Sequence, residues 1–245
     1  MTREWDATAY ERLSAPQTRW GRVVVDRLEL DGNERVLDAG CGTGRVTSIL
    51  LERLPHGRVI ALDGSSAMIS EAGARFADEP RVELVVADLT HPLPIDEPVD
   101  AILSTATFHW ITDHPSLFRN LASVLRPPGQ LVAQCGGAGN ISSLERIISG
   151  MGYTFGGGKT LATPEDTLAR LEAAGFEDID TWLNDEPTSI PQEDLEAFME
   201  TVCLGGIVDD MAPDERARFV HEVATRMPEP VIDYVRLNIV ARRAA

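Results

Sequence analysis

The sequence predicts an α/β fold, an open, doubly wound and mostly parallel sheet, and three observations predict it. A short apolar run at 35–38 leads into a loop with glycine at alternate positions, Gly40, Gly42 and Gly44, and then into a helical pattern at Val46, Ile49, Leu50 and Leu54. Two further runs of strand type, 58–63 and 82–87, end on or just before an aspartate, Asp63 and Asp88, and helical stretches separate them. Strands that alternate with helices build a parallel sheet whose ligands bind beyond the carboxyl ends of the strands. A chain of 245 residues is long enough to bury a sizeable core.

Residues 1–33 carry Trp5, Tyr10 and Trp20, and beyond Pro16 a helix is expected over 17–30 with Val23, Val24, Arg27 and Leu28 toward the sheet. The aromatic residues either pack a core or close over a ligand. The glycine loop after the first strand admits competing readings. A bare strand-to-helix turn needs roughly one glycine. A dinucleotide site needs Gly-x-Gly-x-x-Gly, but here the third glycine falls one place early and Arg45 occupies the required position. Asp63, nineteen residues beyond Gly44, ends the second strand where its oxygens can accept from both hydroxyls of a ribose. Ser65 is suited to cap the next helix. Pro80 separates that helix from the third strand, and Pro92, Pro94 and Pro98 make the following stretch a surface loop.

The fourth strand is expected at 99–105, followed by Ala106-Thr-Phe-His-Trp-Ile and a helix over 115–125. Thr105 to Trp110 then lies beyond a strand's carboxyl end, where a ligand would sit. His109 is either a base for a protonated substrate or a pocket-lining side chain, and Trp110 is a wall. A turn at 127–129 precedes the fifth strand. Gly156-Gly-Gly158 before Lys159-Thr160 is read as a flexible loop rather than a phosphate cradle, because it lacks the preceding glycine and buried strand. Thr163-Pro-Glu-Asp starts a helix that Gly175 ends, with strand six at 179–185 and the last strand at 232–242. Two helices expected within 191–227 exceed what a hairpin between these strands needs, so they form either a lid or decoration. The expected whole is one domain of seven strands with the last antiparallel: an N-terminal helical cap at 1–33, a core at 34–190, a helical lid insertion at 191–227 and the last strand within 228–245.

Asp38, Gly40, Gly42 and Gly44 resemble the first motif of the class I S-adenosylmethionine-dependent methyltransferases, and Tyr10, Ser14, Gln17 and Trp20 resemble an N-terminal cap of the trans-aconitate methyltransferase-like group. Leu125-Arg-Pro-Pro-Gly is similar to a structural segment of the same family. The resemblance implies a Rossmann-like fold with S-adenosylmethionine as cofactor. It implies cofactor contacts from Trp20, Asp38, Cys41 and the three glycines, and from Asp63, Gly64 and Ser65 at the ribose. Asp88 would meet the adenine amino group and the Leu89 amide the ring, with Thr105 at the loop edge. Met68 either faces the adenine or fills the core. For the acceptor it implies Tyr10 of the cap, beside which His109 and Trp110, beyond the fourth strand, and Arg236, on the last strand, are candidates by position.

Composition narrows the partners. With 22 basic against 39 acidic residues the chain carries a formal charge of −17, which repels a phosphate backbone, and Lys159 is its only lysine. Nucleic acid is therefore not the expected substrate. The scattered cysteines Cys41, Cys135 and Cys203 suggest neither a disulfide framework nor a metal site, and no apolar run of membrane-spanning length occurs. A cytoplasmic, soluble protein is expected, as monomer or homodimer, without a membrane partner. No Lys or Arg occurs over 171–215, where acids are abundant. The acceptor classes kept open are therefore a small carboxylate, as in the trans-aconitate group, and a neutral or cationic small molecule methylated on oxygen, nitrogen or carbon. A protein that binds the cofactor without turnover is the alternative of another class.

Overall fold

Strand β1 (Arg35–Ala39) lies inside the sheet because it is apolar toward both faces: neighbouring Val36 and Leu37 point opposite ways and are both wholly buried. The computed structural model of the chain describes residues 15–154 and 158–245. Around β1 are β2 (Arg58–Asp63), β3 (Val82–Val86), β4 (Val99–Thr105), β5 (Leu125–Gly136), β6 (Phe176–Asp185) and β7 (Val235–Arg243). They form one seven-stranded sheet in the order β3-β2-β1-β4-β5-β7-β6. Pairs β1–β2, β1–β4, β2–β3 and β4–β5 are parallel, and β7 runs antiparallel to both β5 and β6. The order reverses between β1 and β4, which opens a crevice at their carboxyl ends.

Helices cover both faces, as a sheet buried on both sides requires. On one, α1 (Ala15–Val25) and α2 (Arg45–Glu52) put Val24, Val25, Val46, Ile49 and Leu50 against Val36, Val59, Ala101 and Val132. On the other, α4 (His114–Val124) and α6 (Pro164–Ala173) bring Leu117, Phe118, Leu121 and Leu171 onto Leu37, Ile60, Ile102 and Leu131. Helix α3 (Ser66–Arg75) packs beside β2 and β3, with Met68 and Ala72 buried. A third apolar cluster stands apart from the sheet. It joins Trp20 of α1 and Leu144 and Ile148 of α5 (Ser142–Gly150) to residues of the 191–227 segment such as Phe198, Leu204 and Phe219.

Several boundaries differ from expectation. Helix α1 stops at Val25, and the chain tightens through Arg27 N to Val24 O and Leu28 N to Val25 O, so Val25 packs inward while Val23 is exposed. Strand β5 starts at Leu125 rather than after the expected turn, and the turn is taken up as an irregularity within it: Leu125 pairs with Val99 and Gln130 with Ala101, so residues 126–129 loop out of the ladder. Strand β6 starts at Phe176, three residues earlier than the alternation suggests, because a bulge between Glu177 and Asp180, with Asp178 at φ 49°, breaks the period of two. The expected last strand splits into Val231–Ile232, paired with Thr188–Ser189, and β7. In place of two helices, the 191–227 segment has α7 (Leu195–Phe198), a π turn (Met199–Cys203), α8 (Gly205–Val208) and α9 (Pro213–Arg226).

Candidate active site

The three loop glycines all have positive φ, at 86°, 55° and 82° for Gly40, Gly42 and Gly44, a region that costs any other residue steric strain. Their surroundings nevertheless differ. A Cβ on Gly40 would lie 2.1 Å from Thr107 Oγ1, and one on Gly44 would lie 2.4 Å from Phe76 Cε2. A Cβ on Gly42 would meet nothing within 4 Å. Gly40 and Gly44 are thus closed against the protein itself, and Gly42 presents bare backbone to open space. The loop is pinned from the second strand: Gly40 N and Cys41 N donate to Leu62 O at 2.7 and 3.0 Å. The Asp63 carboxylate accepts from Gly42 N through Oδ2 and from Ser65 N through Oδ1, both at 2.9 Å. Ser65 caps α3 as expected, accepting from Met68 N at 3.3 Å. Gly64 lies between these anchors, half-buried, and Met68 is buried.

Asp38 sits beneath the loop with no solvent exposure. Its Oδ2 accepts from Thr47 Oγ1 at 2.6 Å, while Oδ1 has no hydrogen-bond partner among the described residues. Burial, opposed by the Thr47 hydrogen bond and aided by the nearby charge of Asp63, pushes its carboxyl up to about 7. An acceptor left bare in the interior costs about 1–3 kcal/mol, so this oxygen is suited to a cationic donor supplied from outside the chain. Burial and the same two carboxylates push the Cys41 thiol up, which keeps it protonated and unreactive. At the end of β3, Asp88 Oδ1 accepts from Thr90 N at 2.9 Å and Thr90 Oγ1 at 2.8 Å, and its side chain is 42% exposed beside His91. The side chain of Leu89 is buried in the core and its carbonyl accepts from Asn120 Nδ2 at 3.0 Å. That leaves the Leu89 amide as the group in question.

Across the switch point, Ser104 Oγ donates to Ala39 O at 2.6 Å, tying β4 to β1. Thr107 Oγ1 lies 3.1 Å from Gly40 O and 3.0 Å from Thr105 O, so the chain after β4 rests on the glycine loop. A 3-10 turn, Phe108–Trp110, then carries His109 inward. His109 is buried, and its Nδ1 accepts from Gly136 N at 3.3 Å, which puts the remaining proton on Nε2. Burial, together with the charges of Arg236, Lys159 and His114, holds its pKa well below the usual imidazole range. The expectation of a base at His109 does not fit this bonding: the lone pair that would take a proton is already engaged, and the ring is neutral. What it offers is an Nε2–H donor.

Two cations flank this turn. Lys159 Nζ lies 4.4 Å over the Trp110 ring, and the Arg236 guanidinium, only 3% exposed, stacks 4.6 Å from the Trp20 ring. Trp20 itself is edge-on to Tyr234 at 5.0 Å and donates Nε1–H to Glu186 Oε2 at 3.3 Å. Trp20 thus packs beside Arg236 and Tyr234, while the adjoining Gly21 abuts Val46 at the start of α2, just beyond the glycine loop. Tyr10 lies outside the described residues. Sequence reasoning missed Thr47, Ser104, Thr107 and Gln134, none of which belongs to a motif. Gln134 and Asn238 alone left a signal, as polar residues inside otherwise apolar strands.

Residues 36–129, which include the glycine loop and the turn at His109, match the family described as a methyltransferase domain. Trans-aconitate 2-methyltransferase of Escherichia coli (strain ATCC 8739) is 28% identical over 255 aligned residues, covering 98% of both chains. The enzyme of the same name from Azoarcus sp. (strain BH72) is 38% identical over 130 residues, 53% of this chain and 50% of that one. Among solved structures, Haemonchus contortus phosphoethanolamine N-methyltransferase 2, in complex with phosphomonomethylethanolamine and S-adenosylhomocysteine, superposes with a TM-score of 0.66 at 18% identity. That superposition covers 98% of this chain and 57% of the other. Bare backbone at Gly42 and an unsatisfied acid at Asp38 suit a ligand that carries an ammonium and a sulfonium. Loop geometry, sheet order and relatives thus agree: residues 36–129 form a methyltransferase domain, and the chain as a whole is similar to S-adenosylmethionine-dependent methyltransferases.

Proposed function

We propose that this enzyme methylates a carboxylate of a small organic acid. The observation that carries the reading is the meeting of the chain's only lysine and a buried arginine, Arg236, around the His109 turn at the carboxyl ends of β4 and β5. The name of the Escherichia coli relative, matched over 98% of both chains, supports the same acceptor class. The bound cofactor supplies an electrophilic methyl group on a sulfonium. For its part the chain would bind and align: Asp38 toward the ammonium, Asp63 and Gly42 along the ribose, and Asp88 with the Leu89 amide at the adenine. An acceptor carboxylate with a pKa near about 4 arrives ionised, so no proton has to be moved. That agrees with a neutral His109 acting as an Nε2–H donor. Arg236 and Lys159 would hold the acid, and the 191–227 segment, with Trp20, would shield the site from water.

The lack of Lys and Arg over 171–215 favours a second reading, a neutral or cationic acceptor. Methyl transfer to trans-aconitate and to its uncharged triamide, followed by mass spectrometry, separates the two. Transfer to the acid alone, weakened by Arg236→Met and by Lys159→Met, supports the carboxylate reading. Transfer to the triamide, unaffected by either substitution, rejects it.

A further inference from the structure

Where β5, β6 and β7 meet, a polar chain, buried at Gln134, Arg236 and Asn238 and half-buried at Asn184, runs across the sheet. Arg236 Nε donates to Gln134 Oε1 at 3.5 Å, and Gln134 Nε2 donates to Asn238 Oδ1 at 2.8 Å. Asn238 Nδ2 donates to Asn184 Oδ1 at 2.6 Å, and Asn184 Nδ2 donates to Glu186 Oε1 at 3.0 Å. Every link points the same way, from a guanidinium through three amides to a carboxylate. Glu186 then takes the Trp20 indole N–H, and the Trp20 ring stacks on Arg236, so the chain closes on itself. At its centre Asn238 is wholly buried and fully satisfied: Oδ1 also accepts from Arg27 Nη1 at 2.7 Å, and Nδ2 also reaches Arg236 O at 3.2 Å.

A sheet interior gains no stability from such a chain that apolar residues of the same shape would not give, because each amide is desolvated before it is paired. What the chain does supply is direction. Aligned amide dipoles polarise one another, and turning any one of them over would set donor against donor and acceptor against acceptor on its two sides. We infer that Gln134, Asn238 and Asn184 are positioning residues that fix the plane of the Arg236 guanidinium against Trp20 and so set the enzyme's affinity for its acceptor. The functional half of this inference rests on the proposed carboxylate reading; the orientation of Arg236 does not.

The test uses the full-length protein loaded with S-adenosylhomocysteine, and reads both hydrogen exchange at Arg236 Nε–H by NMR and kinetics with trans-aconitate. In Gln134→Leu, exchange at Arg236 Nε–H should quicken about ten-fold or more. KM for trans-aconitate should rise by a similar factor, with kcat and S-adenosylhomocysteine affinity within about two-fold of wild type. Gln134→Glu, which keeps an acceptor for Nε–H, should restore the protection. Asn184→Ala, at the half-buried end of the chain, should give the same effects in milder form and covers the case of a Gln134→Leu protein that does not fold. Unchanged exchange in both Gln134→Leu and Asn184→Ala overturns the inference, as does faster exchange with an unaltered KM. If the wild type does not methylate trans-aconitate, the carboxylate reading falls, and exchange alone decides whether the chain orients Arg236.

Discussion

The two ends of the crevice are built by different means and carry opposite charge. At the β1–β3 end stand a glycine loop and three carboxylates at or near strand ends, Asp38, Asp63 and Asp88, a charge suited to a ligand cationic at nitrogen and sulfur. At the β5–β7 end, Arg236 and Lys159 surround His109. A chain of net charge −17 has thus gathered its one lysine and a buried arginine at one place. The comparison teaches that the summed charge of a chain says little about the ligand that a given end of its crevice suits; the local charges decide that.

The largest effect that sharpens this contrast is expected within the glycine loop itself. Gly40→Ala forces a Cβ into Thr107 at positive φ and should cost about 2–5 kcal/mol of stability by chemical denaturation. Gly42→Ala meets no neighbour and should cost only about 1–2 kcal/mol, yet should weaken S-adenosylhomocysteine binding in calorimetry. Equal stability losses would break the division between a packing glycine and a ligand-facing one. Next comes Asp63→Ala, which removes the anchors of Gly42 N and Ser65 N together; a drop of about 100-fold in S-adenosylhomocysteine affinity is expected by calorimetry.

A smaller effect follows from Asp38. Its carboxyl is raised to about 7 in the folded protein from the usual 3.8, so the unfolded chain ionises first as pH rises. The folded state then binds the extra proton, and stability from this group falls between about pH 4 and pH 7. Melting curves of wild type minus Asp38→Asn should record that decline, and S-adenosylhomocysteine should raise the melting temperature more at pH 8 than at pH 5.5. A shift independent of pH would remove Asp38 from the cofactor's side of the comparison. The smallest effect belongs to His109→Gln, which keeps an acceptor for Gly136 N and an N–H donor. Activity should stay within about three-fold and the pH–rate profile should lack a limb near 6.5, whereas loss of a true base costs about 100-fold or more.

The same contrast governs what the sequence discloses. Gly40, Gly42, Gly44, Asp63 and the Ser65 cap are close in sequence and each obeys a local rule, so strand, loop and helix could be placed from residues alone. The acceptor end depends on pairs distant in sequence: Thr107 on Gly40, Gly136 on His109, Trp20 on Arg236. No local pattern encodes them: nothing near Trp20 in sequence announces its stacking on Arg236, and nothing near His109 announces that Gly136 of β5 takes its Nδ1 lone pair. The bulge in β6 hid its first residues for a related reason, since one left-handed residue, Asp178, shifts every later side chain by one face.

The apolar cluster of α5 and the 191–227 segment shares no residue with the two clusters on the sheet, yet α1 contributes to both kinds, through Trp20 on one side and Val24 and Val25 on the other. The single turn of helix between Trp20 and Val24 therefore joins the two packings, so a change there bears on both at once.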